Sequence, residues 1–316
     1  MSTGRIVIGG ATGFMGRFLQ DYFRDQGREV ITISRSGSGL HWDDQAGIDA
    51  AVDGAALVLG LAGKSVNCRY TPENRAEIFS SRLRTTAALE QAIASAATPP
   101  PLWINSSTAT IYRHAMDRPM TEAGGDIGSG FSVEVAKAWE DALFAGDLPN
   151  TRRVALRSAI VIGDGGVLAT LKQLTKFGLG GAQQDGRWPV TAARKAAGTA
   201  HYPGASKGTQ KFSWVHVADV ARMIEFLEDH PELSGPVNAS APNPVDNRTL
   251  MDMVRKHMGV RLGPPLPRWL LELGAIGIRT ETELILKSRW ALPEKLLDAG
   301  FEFRYPLLDE AIRHSN

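Results

Sequence analysis

Cysteine is all but missing from this 316-residue chain. Cys68 stands alone, so no internal disulfide can form, and the composition suits a reducing compartment. An excess of charge of either sign is missing too: 35 Lys and Arg stand against 34 Asp and Glu, a formal net charge of +1. No long-range field is therefore available to gather nucleic acid or an anionic membrane surface. No apolar run approaches the length needed to cross a bilayer, and the chain enters its first strand by Arg5 without the apolar core of a secretion signal. The expectation is a cytoplasmic protein that acts on a small molecule, with no nucleic-acid partner, no membrane partner and no metal; a homodimer is left open. What the chain does have is 43% apolar residues, enough to bury a substantial core in one large α/β domain or in a core domain with a smaller companion.

Glycine is concentrated where it matters most. The apolar run Ile6-Val7-Ile8 breaks into Gly10, Gly13 and Gly16, then continues as an amphipathic helical stretch carrying Phe14, Phe18, Leu19, Tyr22 and Phe23, followed by a β-rich run from Glu29 to Ser34. This is a βαβ unit with a dinucleotide-binding turn, in which each glycine has a separate duty. Gly10 permits the tight turn off the strand, Gly13 lets backbone N–H groups approach a pyrophosphate, and Gly16 lets helix and strand pack closely. Thr12, Phe14 and Met15 complete the expected cradle, with the phosphates at a helix N-terminus. The second strand ends in Ser34-Arg35 rather than in a carboxylate. An arginine there favours a 2′-phosphate, so the expected cofactor is NADP; the alternative is that Arg35 is a solvated surface charge on a Gly/Ser-rich loop.

Further along, residues 56–61 read as a third strand, 72–97 as a long helix, 102–106 as a fourth strand, 132–144 as a helix and 153–162 as a fifth strand. This alternation predicts an α/β fold, a Rossmann-type doubly wound parallel sheet with a smaller, mostly helical C-terminal lobe. The division expected is a nucleotide-binding domain over residues 1–235 and a lobe for substrate or partner over 236–316. Between them the irregular segment 178–210 carries Arg187, Trp188, Arg194, Lys195, His201, Tyr202 and Lys207. Its readings are a cover for an anionic substrate or a mobile solvated excursion. A strand is expected over 212–215, with helices over 217–228 and 249–258 and short helical pieces beyond, including 282–290.

The fourth strand runs into a hydroxyl cluster, Ser106-Ser107-Thr108-Ala109-Thr110-Ile111-Tyr112. With the glycine turn, Leu156-Arg157-Ser158 and the run Trp214 to Asp219, it resembles the extended short-chain dehydrogenases/reductases. In that class a residue at the position of Thr108 hydrogen-bonds the substrate oxygen, and a tyrosine four residues ahead of a lysine supplies the acid/base. The pairing has a physical basis: a phenol with a solution pKa of ~10 needs a nearby ammonium to work at neutral pH. Setting Glu140 against the glutamate that often ends that motif puts Ser132 and Ala136 at the two positions; a shift of one gives Val133 and Lys137. Neither register contains the tyrosine.

That departure, together with Leu61-Ala62-Gly63, Arg69-Tyr70-Thr71, Ser81-Arg82, Trp139-Glu140, Gly178 to Gly181 and a tail from Pro293 to Phe301, is similar to an atypical branch. It is the SDR39U1-like epimerase family, an epimerase/dehydratase fold with a DUF1731-type C-terminal extension. The resemblance implies NADP, with contacts from Ser34, Arg35, Leu61, Ala62, Glu77 and Arg82, and Ser106 lies where the nicotinamide is expected. Thr108 is then the candidate partner of the substrate oxygen, and Tyr112 either a displaced acid or a pocket wall. Lys137 reads as a solvated charge, Trp139 and Glu140 as pins holding a helix to the sheet, and His216 and Asp219 as organisers of a helix start. Arg157 lies on a buried strand and needs a carboxylate or phosphate partner. Two functions follow: an oxidoreductase or nucleotide-sugar epimerase-like enzyme lacking the Tyr/Lys pair, or a non-catalytic NADP-binding regulatory or interaction module.

Overall fold

The structure is a computed structural model and describes residues 4–201 and 206–315. The N-terminal part alternates β1 (Ile6–Gly9), α1 (Phe14–Asp25), β2 (Val30–Ser34), β3 (Leu40–His41), α2 (Gln45–Val52), β4 (Leu57–Gly60), α3 (Pro72–Ser95), β5 (Leu102–Thr108), α4 (Phe131–Phe144), β6 (Arg152–Ser158) and β7 (Ile160–Gly163). There follow α5 (Gly166–Lys176), α6 (Ala192–Ala196), β8 (Lys211–Phe212), β9 (Trp214–His216), α7 (Val217–Asp229), β10 (Gly235–Ala239), β11 (Val245–Asp246) and α8 (Asn247–His257). The tail holds α9 (Arg268–Gly277), α10 (Glu283–Leu286), α11 (Glu294–Asp298) and α12 (Leu308–Arg313).

Seven strands form one parallel sheet in the order β10-β6-β5-β4-β1-β2-β3. Successive strand side chains point to opposite faces, and the sequence fills both. Ile6, Ile8, Leu57, Leu59, Leu102 and Ile104 pack on one face with Leu19 and Phe23 of α1 and Val220, Ile224 and Leu227 of α7. Val7, Val58, Trp103 and Ala155 pack on the other with α2, α3 and Leu143 of α4. Helices on both faces leave the carboxyl ends of the strands as the place for a ligand.

The expected fifth strand, 153–162, is two strands. At Ala159 the chain leaves the sheet: Ala159 N donates to Ala239 O at 2.9 Å, and Ile160 N to Ser213 O at 3.2 Å. β7 then pairs with β9 in a separate parallel ladder. The expected strand 212–215 breaks likewise at Ser213, whose hydroxyl lies 2.9 Å from Arg289 O and 3.2 Å from Ala291 O. The boundary expected after residue 235 falls on the first residue of β10, which pairs along β6 from Val154 to Ser158. Of the expected helix over 282–290, only Glu283–Leu286 is helical.

The segment 178–210, of which 202–205 with Tyr202 lie outside the described residues, is anchored at several charges while Arg187 and Lys195 stay exposed. Arg268 reaches Asp185 at 2.7 Å and Glu272 at 2.6 Å, His201 lies 2.7 Å from Asp185, and Arg194 pairs with Glu281 at 2.9 Å. Its most buried charges are neutralised within the protein, which removes Arg194 from the set able to meet an anionic substrate. The tail supplies the carboxylates Glu272 and Glu281 and the guanidinium of Arg268, and sequence patterning carries no sign of such distant partners.

Candidate functional site

The glycine turn separates into glycines that the fold demands and one that it does not. Gly10 has φ +87°, and a Cβ there would stand 2.7 Å from Ala62 N and 2.8 Å from the Leu61 carbonyl carbon. A Cβ on Gly16 would stand 2.5 Å from Gly10 O, so helix and strand are in direct backbone contact. At Gly13 φ is −72° and a Cβ would meet only Gly10 O, at 3.4 Å. Neither conformation nor packing requires glycine there, which leaves the open side of the turn as the reason. Gly13 is the N-cap of α1 and provides no side-chain cap, so the first-turn N–H groups at Phe14, Met15 and Gly16 have no side-chain acceptor from it. These features fit a pyrophosphate.

A cleft of about 250 Å³ opens beside the turn, lined by Ala11, Thr12, Arg17, Ser34, Gly37 and neighbouring residues. The Ser34 hydroxyl donates to Ser36 O at 2.6 Å and shapes the loop after β2. Arg35 is exposed between two lining residues, and among the described residues it makes no ion pair. Arg17, which the sequence analysis did not single out, lines the cleft and donates to Thr12 O. Its signal was an arginine directly after the third glycine. A second hollow, about 290 Å³, lies near Pro99 and Leu148 at the amino ends of the strands, away from this chemistry.

Leu61 and Ala62 abut Gly10. Ser106 is buried on β5. Glu77 lies 3.7 Å from Arg84 and accepts from Ser80 at 3.4 Å. Arg82 stacks over Trp139 at 4.8 Å and donates to the carbonyls of Lys64 and Ile78 at 3.0 and 2.9 Å, and burial pulls its pKa down to about 10. It holds the segment after β4 against α3.

Beyond β5 and β6 lies a buried ionic network. Arg157 forks onto Glu140 at 2.8 and 2.7 Å, and Ser107 donates to the same carboxylate at 2.6 Å. This supplies the carboxylate that Arg157 needed and shows how Glu140 pins α4 to the sheet; Trp139 adds a bond to Thr86 at 3.2 Å. Arg157 also donates to the Tyr112 hydroxyl at 2.9 Å, which donates in turn to Asn238 at 2.9 Å. Burial raises the Tyr112 pKa although Arg157 opposes it. Thr108 is half-buried at the end of β5, its Oγ1 accepting from Thr110 N at 3.1 Å. Lys137 is exposed beside Glu134 at 3.5 Å. His216 caps α7 by accepting from Ala218 N, and Asp219 accepts from the amides of Arg304 and Tyr305 at 2.7 and 2.9 Å. Among the described residues, no group of three or more His, Cys, Asp and Glu is placed to hold a metal ion, and no helix is long and apolar enough to cross a membrane.

Residues 281–289 fold over the end of β5, a contact that no sequence pattern foretold. Lys287 donates to Thr110 O at 2.7 Å, Arg289 to Thr110 Oγ1 at 3.2 Å, and Ser132 to Glu283 at 3.2 Å. Burial lowers the Lys287 pKa from 10.5 to about 8, so the buried ammonium costs about 3 kcal/mol at neutral pH relative to an ordinary lysine. Between about 8 and 10.5 the unfolded chain holds the extra proton, so this lysine makes unfolding harder as pH rises through that window. In denaturant titrations, Lys287→Met is expected to remove most of that rise; an unchanged slope would contradict the burial cost.

A parallel sheet of this order, a glycine turn between β1 and α1, and a hydroxyl-bearing end of β5 define an NAD(P)-binding fold of the short-chain dehydrogenase/reductase kind. Residues 6–127 match the NAD dependent epimerase/dehydratase family, and residues 266–315 match a domain of unknown function, DUF1731. The chain is 28% identical to the epimerase family protein YfhF of Bacillus subtilis, over 97% of this chain and 96% of that one. It is 27% identical to human epimerase family protein SDR39U1, over 98% of each. The crystal structure of human SDR39U1 (isoform 2) with NADPH superposes with a TM-score of 0.82 at 25% identity, covering 98% of both chains. UDP-glucose 4-epimerase of Thermus thermophilus, in complex with NAD, shares the fold at a TM-score of 0.71 and 17% identity. The chain is thus similar along nearly its whole length to SDR39U1-like epimerase family proteins, with an epimerase/dehydratase match followed by a DUF1731 match.

Proposed function

We propose that this protein is a cytoplasmic NADP-dependent oxidoreductase or nucleotide-sugar epimerase-like enzyme, acting on a hydroxyl or carbonyl carbon of a small molecule. The observation that carries the cofactor is Gly13, a glycine that neither backbone angle nor packing requires, at the uncapped start of α1. Gly10, Thr12, Gly13, Phe14, Met15 and Gly16 hold the pyrophosphate through main-chain amides. Ser34, Arg35 and Arg17 take the adenosine end, while Leu61, Ala62 and Ser106 flank the nicotinamide end. Glu77 and Arg82 of α3 complete the cofactor contacts, and Arg82 also keeps the segment after β4 in place. The bound nicotinamide supplies or accepts a hydride. Thr108 hydrogen-bonds the substrate oxygen, and the chain beyond residue 235 covers the substrate end. The NADPH in human SDR39U1 supports the choice of the phosphorylated cofactor.

The test of the 2′-phosphate assignment is Arg35→Ala. A charge-assisted bond is worth ~1.5–3 kcal/mol, so NADPH affinity should fall roughly ten- to a hundredfold. NADH affinity should stay within about twofold, because NADH has no 2′-phosphate. Equal losses for both nucleotides would remove the assignment.

A further inference from the structure

Helix α9 is built inside out. A surface helix ordinarily turns an apolar stripe to the core and polar side chains to water. In α9 the two charged residues, Arg268 and Glu272, are each only 4% exposed; they pair with each other at 2.6 Å, and Arg268 pairs with Asp185 at 2.7 Å. The side chains left in water are Trp269, Leu273 and Ile276, at 53%, 54% and 60% exposed. Their i, i+4 and i+7 spacing sets them in one stripe along the helix. No neighbouring element rises beside Gly274 or Gly277 on the same helix, where an added Cβ would meet nothing within 4 Å. The stripe is therefore a free-standing apolar ridge, and no polar side chain is exposed over residues 268–278.

The helix closes on Ile278, which is exposed as well, and on Arg279. Arg279 has φ +55° and is the one non-glycine residue with positive φ among the described residues. Its amide donates to Ile276 O at 3.2 Å and that of Thr280 to Ala275 O at 2.9 Å, a closing turn whose left-handed position ordinarily holds glycine. An arginine kept there against the backbone preference points to a use for its charge. Ahead of the helix, Arg261 and Leu262 are exposed too. Among the described residues neither Arg261 nor Arg279 makes an ion pair, and from Lys256 to Thr280 the one carboxylate is that of buried Glu272.

Charge and shape choose the occupant. Pairing with the same segment of a second copy would set cations opposite cations with no acid between them. A bilayer bearing anionic headgroups meets the arginines with phosphates, takes up the shape of a convex ridge, and suits a tryptophan at its boundary. The net charge of +1 denies the chain a long-range field but not a local basic and apolar patch. We propose that α9 and the turn after it seat the protein on an anionic lipid surface, with Trp269, Leu273, Ile276 and Ile278 among the outer acyl chains and Arg279 at the phosphates. A helix of 10 residues is about 15 Å long, half the hydrocarbon thickness, so it lies along the surface and does not cross it.

Flotation of the full chain with vesicles tests this. One set is phosphatidylcholine with roughly one-third phosphatidylglycerol, the other phosphatidylcholine alone; the chain should float with the first and bind the second at least ~5-fold more weakly. The double variant Leu273→Ser, Ile276→Ser should melt within about 2 °C of wild type, because both side chains are already in water, yet bind the anionic vesicles at least ~10-fold more weakly. Arg279→Gly relieves the left-handed backbone, so it should melt no lower than wild type while losing roughly fivefold in affinity for those vesicles. Brominated acyl chains should quench the wild type more than Trp269→Phe. No flotation of the wild type, or equal flotation of the double variant, would overturn the inference. A wild type that stays off the vesicles and sediments as a dimer, where the double variant is a monomer, would assign the ridge to a second copy and overturn it also.

Discussion

Glu140→Ala is expected to melt roughly 5 °C or more below wild type. Glu140 and Arg157 are 8% and 7% exposed, and they face each other through two hydrogen bonds, at 2.8 and 2.7 Å. Deleting the carboxylate leaves a buried guanidinium without its counter-charge, a change that costs ~3–5 kcal/mol. For a chain of 316 residues, with ~2.1 cal/mol/K of unfolding entropy per residue, each kcal/mol moves the melting temperature by roughly 1.5 °C. The effect should spread, because the same carboxylate accepts from Ser107 and the same guanidinium supports Tyr112. Glu140→Gln keeps the shape and one acceptor, so it should lose clearly less. Thermal melts followed by circular dichroism decide the matter: an alanine variant within about 2 °C of wild type would mean that solvent reaches Arg157.

The second large effect divides two glycines that look equivalent in sequence. Gly10→Val should both unfold the protein more easily and abolish NADPH binding. The left-handed backbone at φ +87° costs a β-carbon ~1–2 kcal/mol, and overlap with the Ala62 amide at 2.7 Å adds to it. Gly13→Val should leave stability nearly unchanged and still abolish binding, because its side chain would point only at the space where phosphate belongs. Paired measurements of melting temperature and NADPH affinity separate the two. Equal destabilisation by both variants would mean that Gly13 serves the fold and not a ligand.

Much of this architecture was legible because it is local. Ile6 and Ile8 against Val7 show the two faces of a buried strand, and the glycine spacing shows the turn that ends it, so the parallel sheet and the place of the proposed nucleotide site follow from neighbouring residues. What was not legible depends on pairings that only the folded chain makes. The apolar run from Val154 to Ile162 is continuous in hydropathy, and nothing local reveals that Ala159 hands the chain from β10 to β9. Arg157 announced that it needed a partner, but Glu140 was identified only by the register of α4 on β6. Lys287 and Arg289 reach Thr110 across 177 and 179 positions. Charges set beside the apolar run Leu284-Ile285-Leu286 were their only local trace.

The proposed activity requires that the turn from Gly10 to Gly16 hold a phosphorylated nicotinamide nucleotide. Isothermal titration of the purified wild-type chain with NADPH and, separately, NADH addresses this without any knowledge of the substrate. The expected result is one site per chain, with NADPH bound at least ~10-fold more tightly than NADH. No heat with either nucleotide, or a preference for NADH, would contradict it.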